Sequence, residues 1–144
     1  MRASGSRIFD RSPEELWGLL MSPEVVEKCV PGCEELEATG PGEYRVLLKV
    51  SYGPFGGRLD GRAKLVDAVK PHRYKLEVHA EGKTGSVDGV TEVRLARLDG
   101  GQRTELSYDS NLRIGGFLSG LWGRFFQSAA RSFLEQFFEE LARS

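Results

Sequence analysis

Cysteine and histidine are scarce in this chain, with two of each in 144 residues. A secreted disulfide scaffold needs several cross-links and a closed zinc site needs four ligands, so neither architecture is expected. Cys29 and Cys33 have no second Cys or His pair at a suitable spacing, and no metal site is expected. Net charge is nearly absent as well, 20 basic against 21 acidic residues mixed without a run of either sign. That removes the electrostatic footprint of a nucleic-acid binder and the polybasic anchor of an anionic-lipid binder. No apolar run reaches the roughly 18 to 20 residues of a bilayer span, and Met1 to Asp10 lacks the apolar stretch of a signal peptide. The expectation is a cytoplasmic protein of a single domain, residues 1–144, long enough to bury a substantial core.

Catalytic signatures are equally thin. His72 sits beside a turn proline and His79 on the charged face of a strand, and neither has a nucleophile with an orienting carboxylate. Asp60, Asp67, Glu77, Glu81, Asp88 and Glu92 are spread along strands, mostly on the wet face. Gly53, Gly56, Gly57 and Gly61 fall in a strand-turn-strand context, which has no mechanism for cradling phosphate. No catalytic residue and no cofactor is expected.

What the chain does have is concentrated at its C-terminal end. From Phe117 to Leu141 apolar residues recur every three or four positions, the spacing of one face of an α-helix. Six of the eight Phe residues and one of the two Trp lie there, so much of the available apolar surface belongs to one element that must be held in something concave.

The remaining chain reads as the cradle. Arg2 to Phe9 is a weakly alternating strand. Ser12, Pro13 and Glu15 form a capping box that opens a short helix carrying Leu16, Trp17, Leu19 and Leu20. Ser22 and Pro23 open a second, running to about Val30 before Pro31 and Gly32. From Cys33 the period changes to two, predicting strands over Glu34 to Ala38, Glu43 to Tyr52, Phe55 to Val69, Arg73 to Glu81, Val87 to Leu98 and Arg103 to Ile114. One face is small or apolar and the other charged, so an antiparallel meander should wrap the long helix, giving an α+β fold. Gly57, Gly61 and Ala63 on the inner face either admit the helix's aromatics closely or leave an apolar pocket.

This order of elements resembles the helix-grip fold of the SRPBCC (START-like) superfamily: a curved antiparallel β-sheet wrapped around a long C-terminal helix, with two short helices after the first strand. Several local sequences resemble its CoxG family of carbon monoxide dehydrogenase subunits. They are Ser12-Pro13-Glu14-Glu15-Leu16-Trp17, Pro23-Glu24-Val25, Cys29-Val30-Pro31-Gly32-Cys33-Glu34, Lys49 to Gly53 with Pro54 and Gly61, Gly115-Gly116, and Gln136-Phe137-Phe138. The resemblance implies a non-enzymatic accessory protein of an aerobic, molybdenum-containing CO dehydrogenase, with a cavity for an apolar ligand. It implies a role in that enzyme's maturation or membrane recruitment, with quinone handling, and a place at the inner face of the membrane. Many such members carry a C-terminal linker and spanning tail; this chain stops at Ser144, so permanent anchoring is not expected.

The expected partner is therefore an apolar small molecule, a quinone or isoprenoid lipid, between helix and sheet. Its expected contacts are Tyr44, Val46, Leu48, Leu59, Leu76, Val78, Tyr108, Leu112, Trp122, Phe125, Phe126, Ala129 and Phe133, with Tyr44 or Tyr108 supplying polar orientation. Phe117, Leu118 and Leu121, among glycines, are either core or a cavity gate and transient membrane contact. Cys29 and Cys33 are either a buried structural pair or a reversible redox pair across the Pro-Gly turn. Two other classes stay open: an interaction or chaperone-like module with a filled core, and a cyclase or hydrolase on the same fold.

Overall fold

The computed structural model describes residues 1–52, 55–83, 85–116 and 123–144, with side chains at all of these except 52, 55, 56 and 123–125. Strand β1 (Arg2–Phe9) is followed by helices α1 (Pro13–Leu20) and α2 (Pro23–Cys29). Strands β2 (Cys33–Gly40), β3 (Glu43–Tyr52), β4 (Phe55–Val69), β5 (Arg73–Gly82), β6 (Gly85–Leu98) and β7 (Arg103–Gly115) come next, and α3 (Gly123–Ala142) closes the chain. The strands form one antiparallel sheet in the order β1-β7-β6-β5-β4-β3-β2.

Local chemistry explains the helix starts. The Glu15 amide donates to Ser12 Oγ at 3.1 Å, the N-cap bond of the expected capping box, and that hydroxyl in turn donates to the Glu15 carboxylate at 3.2 Å. At α2 the Val25 amide donates to Ser22 Oγ at 3.4 Å. Pro13 and Pro23 begin the two helices, where their missing N–H costs nothing. Gly32, at φ +72°, then carries the chain under β3: a Cβ there would lie 2.1 Å from the Lys49 carbonyl oxygen, so only glycine fits.

The meander follows the expected alternation, and every strand boundary after β3 lies within two residues of its sequence expectation. A bulge in β4 between Val66 and Val69, with Asp67 at φ 52°, bends that strand beside β5. The β1 edge, whose alternation is faint, is held by its register with β7, from Arg2 opposite Asn111 to Phe9 opposite Thr104.

Helix α3 packs closely against α2 and β1, and Gln127 Nε2 donates to the Arg2 carbonyl at 3.3 Å. The core sits at the C-terminal end of this helix. Phe138 and Leu141 join Phe9, Leu16, Trp17, Leu20, Cys29, Tyr74, Val93, Leu95, Leu106 and Tyr108 in one buried cluster. Edge-to-face and tilted aromatic contacts tie it together: Trp17 with Tyr74 at 5.6 Å, Tyr108 with Phe138 at 5.2 Å and Phe9 with Phe138 at 6.5 Å between ring centres. The result is the helix-grip arrangement, with helix α3 lying against one face of the sheet.

Candidate ligand-binding groove

Residues directly opposite in an antiparallel pair share a face, so the register lays out the inner face of the sheet row by row. Toward the core end the rows are Leu95 with Leu106, then Tyr74, Val93 and Tyr108. A middle row holds Leu76, Thr91, Ser110 and Ala3. Beyond it come Tyr44, Ala63, Val78, Gly89 and Leu112, and then Val46, Gly61, Ala80, Val87 and Ile114.

Burial changes along these rows. Val93, Leu95 and Leu106 keep 5%, 6% and 0% of their surface, as packed aliphatics do. Val46, Leu48, Leu59, Leu76, Val78 and Leu112, on the same face, are only half-buried. Gly61, Ala63, Ala80 and Gly89 set a low floor among them. A Cβ on Gly61 would meet nothing nearer than 3.5 Å, whereas one on Gly89 would lie 2.2 Å from the Asn111 carbonyl oxygen. Among the described residues the inner face is thus closely packed at one end and more exposed at the other.

The expected contacts distribute accordingly. Tyr44, Val46, Leu48, Leu59, Leu76, Val78 and Leu112 share the half-buried part of this face, and Phe126, Ala129 and Phe133 are half-buried on α3. Tyr108 belongs to the closed end: it is 7% exposed, its ring lies on Phe138, and its hydroxyl reaches over Gly5 on the edge strand. Burial raises its phenol pKa, with the Glu135 charge adding to the shift. The side chain of Phe125, and Trp122, Phe117, Leu118 and Leu121 as whole residues, lie outside the described residues.

The two cysteines are both free thiols. Cys29 is buried in the core, its sulfur 3.5 Å from Ser144 Oγ, while the half-buried Cys33 donates to the Glu35 carbonyl at 3.5 Å. Burial pushes the Cys33 thiol pKa up, with the Glu27 charge adding to the shift.

Sequence reasoning did not single out Thr91 and Ser110, whose hydroxyls meet at 2.7 Å on the inner face. Their signal was the period-two pattern itself, in which both fall on the apolar side of their strands. Among the described residues no group of His, Cys, Asp and Glu is arranged to hold a metal ion.

The outer face is charged. His79 Nε2 lies 2.7 Å from the Glu81 carboxylate and its Nδ1 contacts Asp88 across the β5–β6 ladder. These hydrogen bonds, Glu81's first, raise the imidazole pKa. Around them Asp60, Arg62, His79, Glu81 and Gly82 line an open cleft of about 350 Å³, too polar and exposed for an apolar guest.

Comparison with curated proteins gives no match. Among solved structures the chain is similar to a conserved protein from Geobacillus kaustophilus, at 27% identity and TM-score 0.94, covering 99% of this chain and 93% of that one. A START superfamily protein from Mycobacterium smegmatis shares the fold at 11% identity and TM-score 0.76, covering 98% and 94%. A Chromobacterium violaceum protein does so at 18% identity and TM-score 0.70, covering 99% and 95%. The sequence profile of the carbon monoxide dehydrogenase subunits called CoxG matches residues 5–144, and the chain belongs to that family.

Proposed function

We propose that this chain is a non-enzymatic carrier that binds an apolar small molecule, a quinone or isoprenoid lipid, in the groove between α3 and the open half of the sheet. It serves there as an accessory protein of a CO-dehydrogenase-like molybdenum oxidoreductase. The observation that supports the reading most is the change of burial along a single sheet face. Val93, Leu95 and Leu106 are packed shut, while Val46, Leu59, Val78 and Leu112 stay half-exposed over a floor of Gly61, Ala63, Ala80 and Gly89. Apolar surface left in contact with water is unfavourable by about 25 cal/mol per Å², and an apolar guest recovers that free energy. Membership of the CoxG family supports the partner enzyme.

Transfer of such a ligand needs contact with the bilayer that stores it, and recruitment of the enzyme to the membrane belongs to the same reading. Among the described residues no helix is long and apolar enough to cross a membrane. In this reading the contact is peripheral and transient, at the inner face.

Native mass spectrometry of protein purified from its own host, followed by solvent extraction, tests the proposal. A stoichiometric quinone or isoprenoid lipid is the expected result. Protein that is repeatedly empty, and that takes up no added quinone, would refute the carrier reading in favour of an interaction module.

A further inference from the structure

The sheet ends in two edges, β1 and β2, and they are treated differently. An open edge offers unpaired N–H and C=O groups to any passing strand, so folded proteins blunt it. At β2 the ladder shifts register between Cys33 and Glu35 and again between Ala38 and Gly40, and Glu34, Glu35 and Glu37 stand exposed. The Leu36 amide there donates to the Glu27 carboxylate at 3.1 Å. At β1 the register with β7 runs unbroken from Arg2 to Phe9, and the strand has neither a proline nor an acidic residue. Ser4, Gly5, Ser6, Arg7 and Ile8 are all exposed. The Met1 and Leu112 backbones exchange both their bonds at 2.8 Å, and bonded pairs alternate along an antiparallel ladder. Ala3, Gly5, Arg7 and Phe9 therefore bond to β7, while Arg2, Ser4, Ser6 and Ile8 turn their backbone groups outward. Gln127 covers the Arg2 carbonyl, and the outward groups of Ser4, Ser6 and Ile8 have no protein partner among the described residues.

Helix α3 supplies the second half of this surface. It runs along β1, with Gln127 at Arg2 and Phe138 against Phe9, so Arg131 and Glu135 lie between them beside the open segment. Gln127, Arg131 and Glu135 are successive positions four apart, hence on one side of the helix, and all three are exposed. Both charges act on the Tyr108 hydroxyl, which occupies the place a Cβ on Gly5 would take. Among the described residues neither Arg131 nor Glu135 is in an ion pair. A contact between identical copies about a two-fold axis requires a surface complementary to itself. One positive and one negative group set along the middle of the strand meet that requirement, because reversing the direction brings each against its opposite.

We propose that this edge is the contact surface of a two-fold dimer, in which Ser4 to Ile8 pairs antiparallel with the same segment of a second copy while Arg131 of each copy meets Glu135 of the other. The axis passes through Ser6. Ser6 then pairs with Ser6 and Ser4 with Ile8 of the second copy, so every open outward group finds a partner and the Gln127 bond to Arg2 is undisturbed. Arg7 stands opposite Gly5, which has no side chain to oppose it, and its guanidinium is held over the Phe9 ring at 5.8 Å. On the outer face Ile8, 48% exposed, comes opposite Ser4, at the rim of a trough of about 480 Å³ lined by Ser4, Ser6 and Ser107 among others. A contact of this length is smaller than a standard interface, so the dimer is reversible. It does not depend on the carrier reading, since the edge and this flank of α3 lie outside the half-exposed part of the inner face.

Sedimentation equilibrium over a range of protein concentrations reads the dimer directly, and the average mass is expected to rise toward twice that of the monomer. Arg131→Glu and Glu135→Arg, each at an exposed position, set like charges together at both contacts. Each is expected to weaken dimerisation about 5-fold to 30-fold, and the double variant Arg131→Glu with Glu135→Arg to restore it. Ser6→Cys is expected to give a disulfide-linked dimer on treatment with diamide and Ser4→Cys far less, with the wild type, which carries Cys29 and Cys33, as background. Urea midpoints check that each variant is folded. Protein that stays monomeric at every concentration would overturn the inference. A dimer indifferent to the charge exchange, or one that Ser4→Cys cross-links as readily as Ser6→Cys, would place the contact elsewhere and overturn it equally.

Discussion

Filling the groove from its floor should silence binding without unfolding the protein, and Gly61 is the place to do it. A Cβ there would meet the Val46 carbonyl oxygen at 3.5 Å and Ala80 Cβ at 3.6 Å, both ordinary contacts, and the backbone is not in the left-handed region. Gly61→Ala should therefore be neutral or stabilise by about 0.4 to 1 kcal/mol through the unfolded chain. Gly61→Phe projects a ring from the inner face of β4. If the groove is open, burying part of that ring contributes about 1 kcal/mol, and ordering the side chain costs a similar amount. The net is near zero. If side chains already fill the space, overpacking costs about 1 to 3 kcal/mol. With a urea slope near 2 kcal/mol/M, those cases differ by roughly 0.5 to 1.5 M in midpoint. The expected outcome is an unchanged midpoint together with at least a 10-fold loss of 2-methyl-1,4-naphthoquinone uptake. A midpoint lowered by 0.5 M or more with uptake intact would refute the groove. Gly89→Ala is the control for strand glycines in general: its Cβ would sit 2.2 Å from the Asn111 carbonyl oxygen, so it should destabilise where Gly61→Ala does not.

Ser12→Ala removes the α1 N-cap bond together with the Ser12–Glu15 side-chain bond and should lower stability by about 1 kcal/mol in urea titrations, since α1 carries Leu16, Trp17 and Leu20 into the core. Leu141→Ala, at a side chain with 0% exposure, should cost about 2 to 5 kcal/mol, and Phe133→Ala, half-buried on the same helix, distinctly less. Equal costs would mean that α3 is packed alike along its length. The His79 imidazole has a folded pKa raised above the ordinary 6.5, chiefly by Glu81 and then Asp88. Its contribution to stability is therefore fully present below pH 6.5 and lost as pH rises through the raised value. The gap in urea midpoint between wild type and His79→Gln should shrink on going from pH 6 to pH 9, and a gap that widens would contradict the clamp.

The parts of the fold that were legible in the sequence are those set by local chemistry. The Ser-Pro pairs fix two helix starts, Asp99 to Gly101 fixes the last hairpin, and strict alternation assigns the faces of β3 to β7. The division of the inner face was not legible. Tyr108 and Leu112 alternate on the same side of β7 with only Ser110 between them, yet one is buried against Phe138 and the other is half-buried. That difference depends on which part of α3 meets the sheet, a tertiary fact with no periodicity of its own. Thr91 and Ser110 escaped for a related reason. A hydroxyl on the apolar side of a strand looks like a tolerated exception until the register puts a second one opposite it. The His79 clamp was half legible, because Glu81 is two positions along the same strand while Asp88 arrives only through the β5–β6 pairing.

Separating a stabilising end from a binding end has a thermodynamic consequence that tests the whole reading. The closed core draws on α1, α2, the C-terminal half of α3 and the strand ends beside them, so folding does not require the groove to be filled. A ligand that binds only the folded state stabilises it by RT ln(1 + [L]/Kd), about 2.7 kcal/mol at a hundredfold excess over Kd. Core substitutions such as Leu141→Ala should lower the melting temperature of ligand-free protein and leave the ligand-induced rise intact. Groove substitutions such as Gly61→Phe should do the reverse, keeping the ligand-free melting temperature and abolishing the rise. In a molecule whose interior is packed evenly, every apolar substitution would move both quantities together. Differential scanning calorimetry of the two variants, with and without 2-methyl-1,4-naphthoquinone, decides between these cases, and correlated loss in both would mean that helix and sheet form one continuous core.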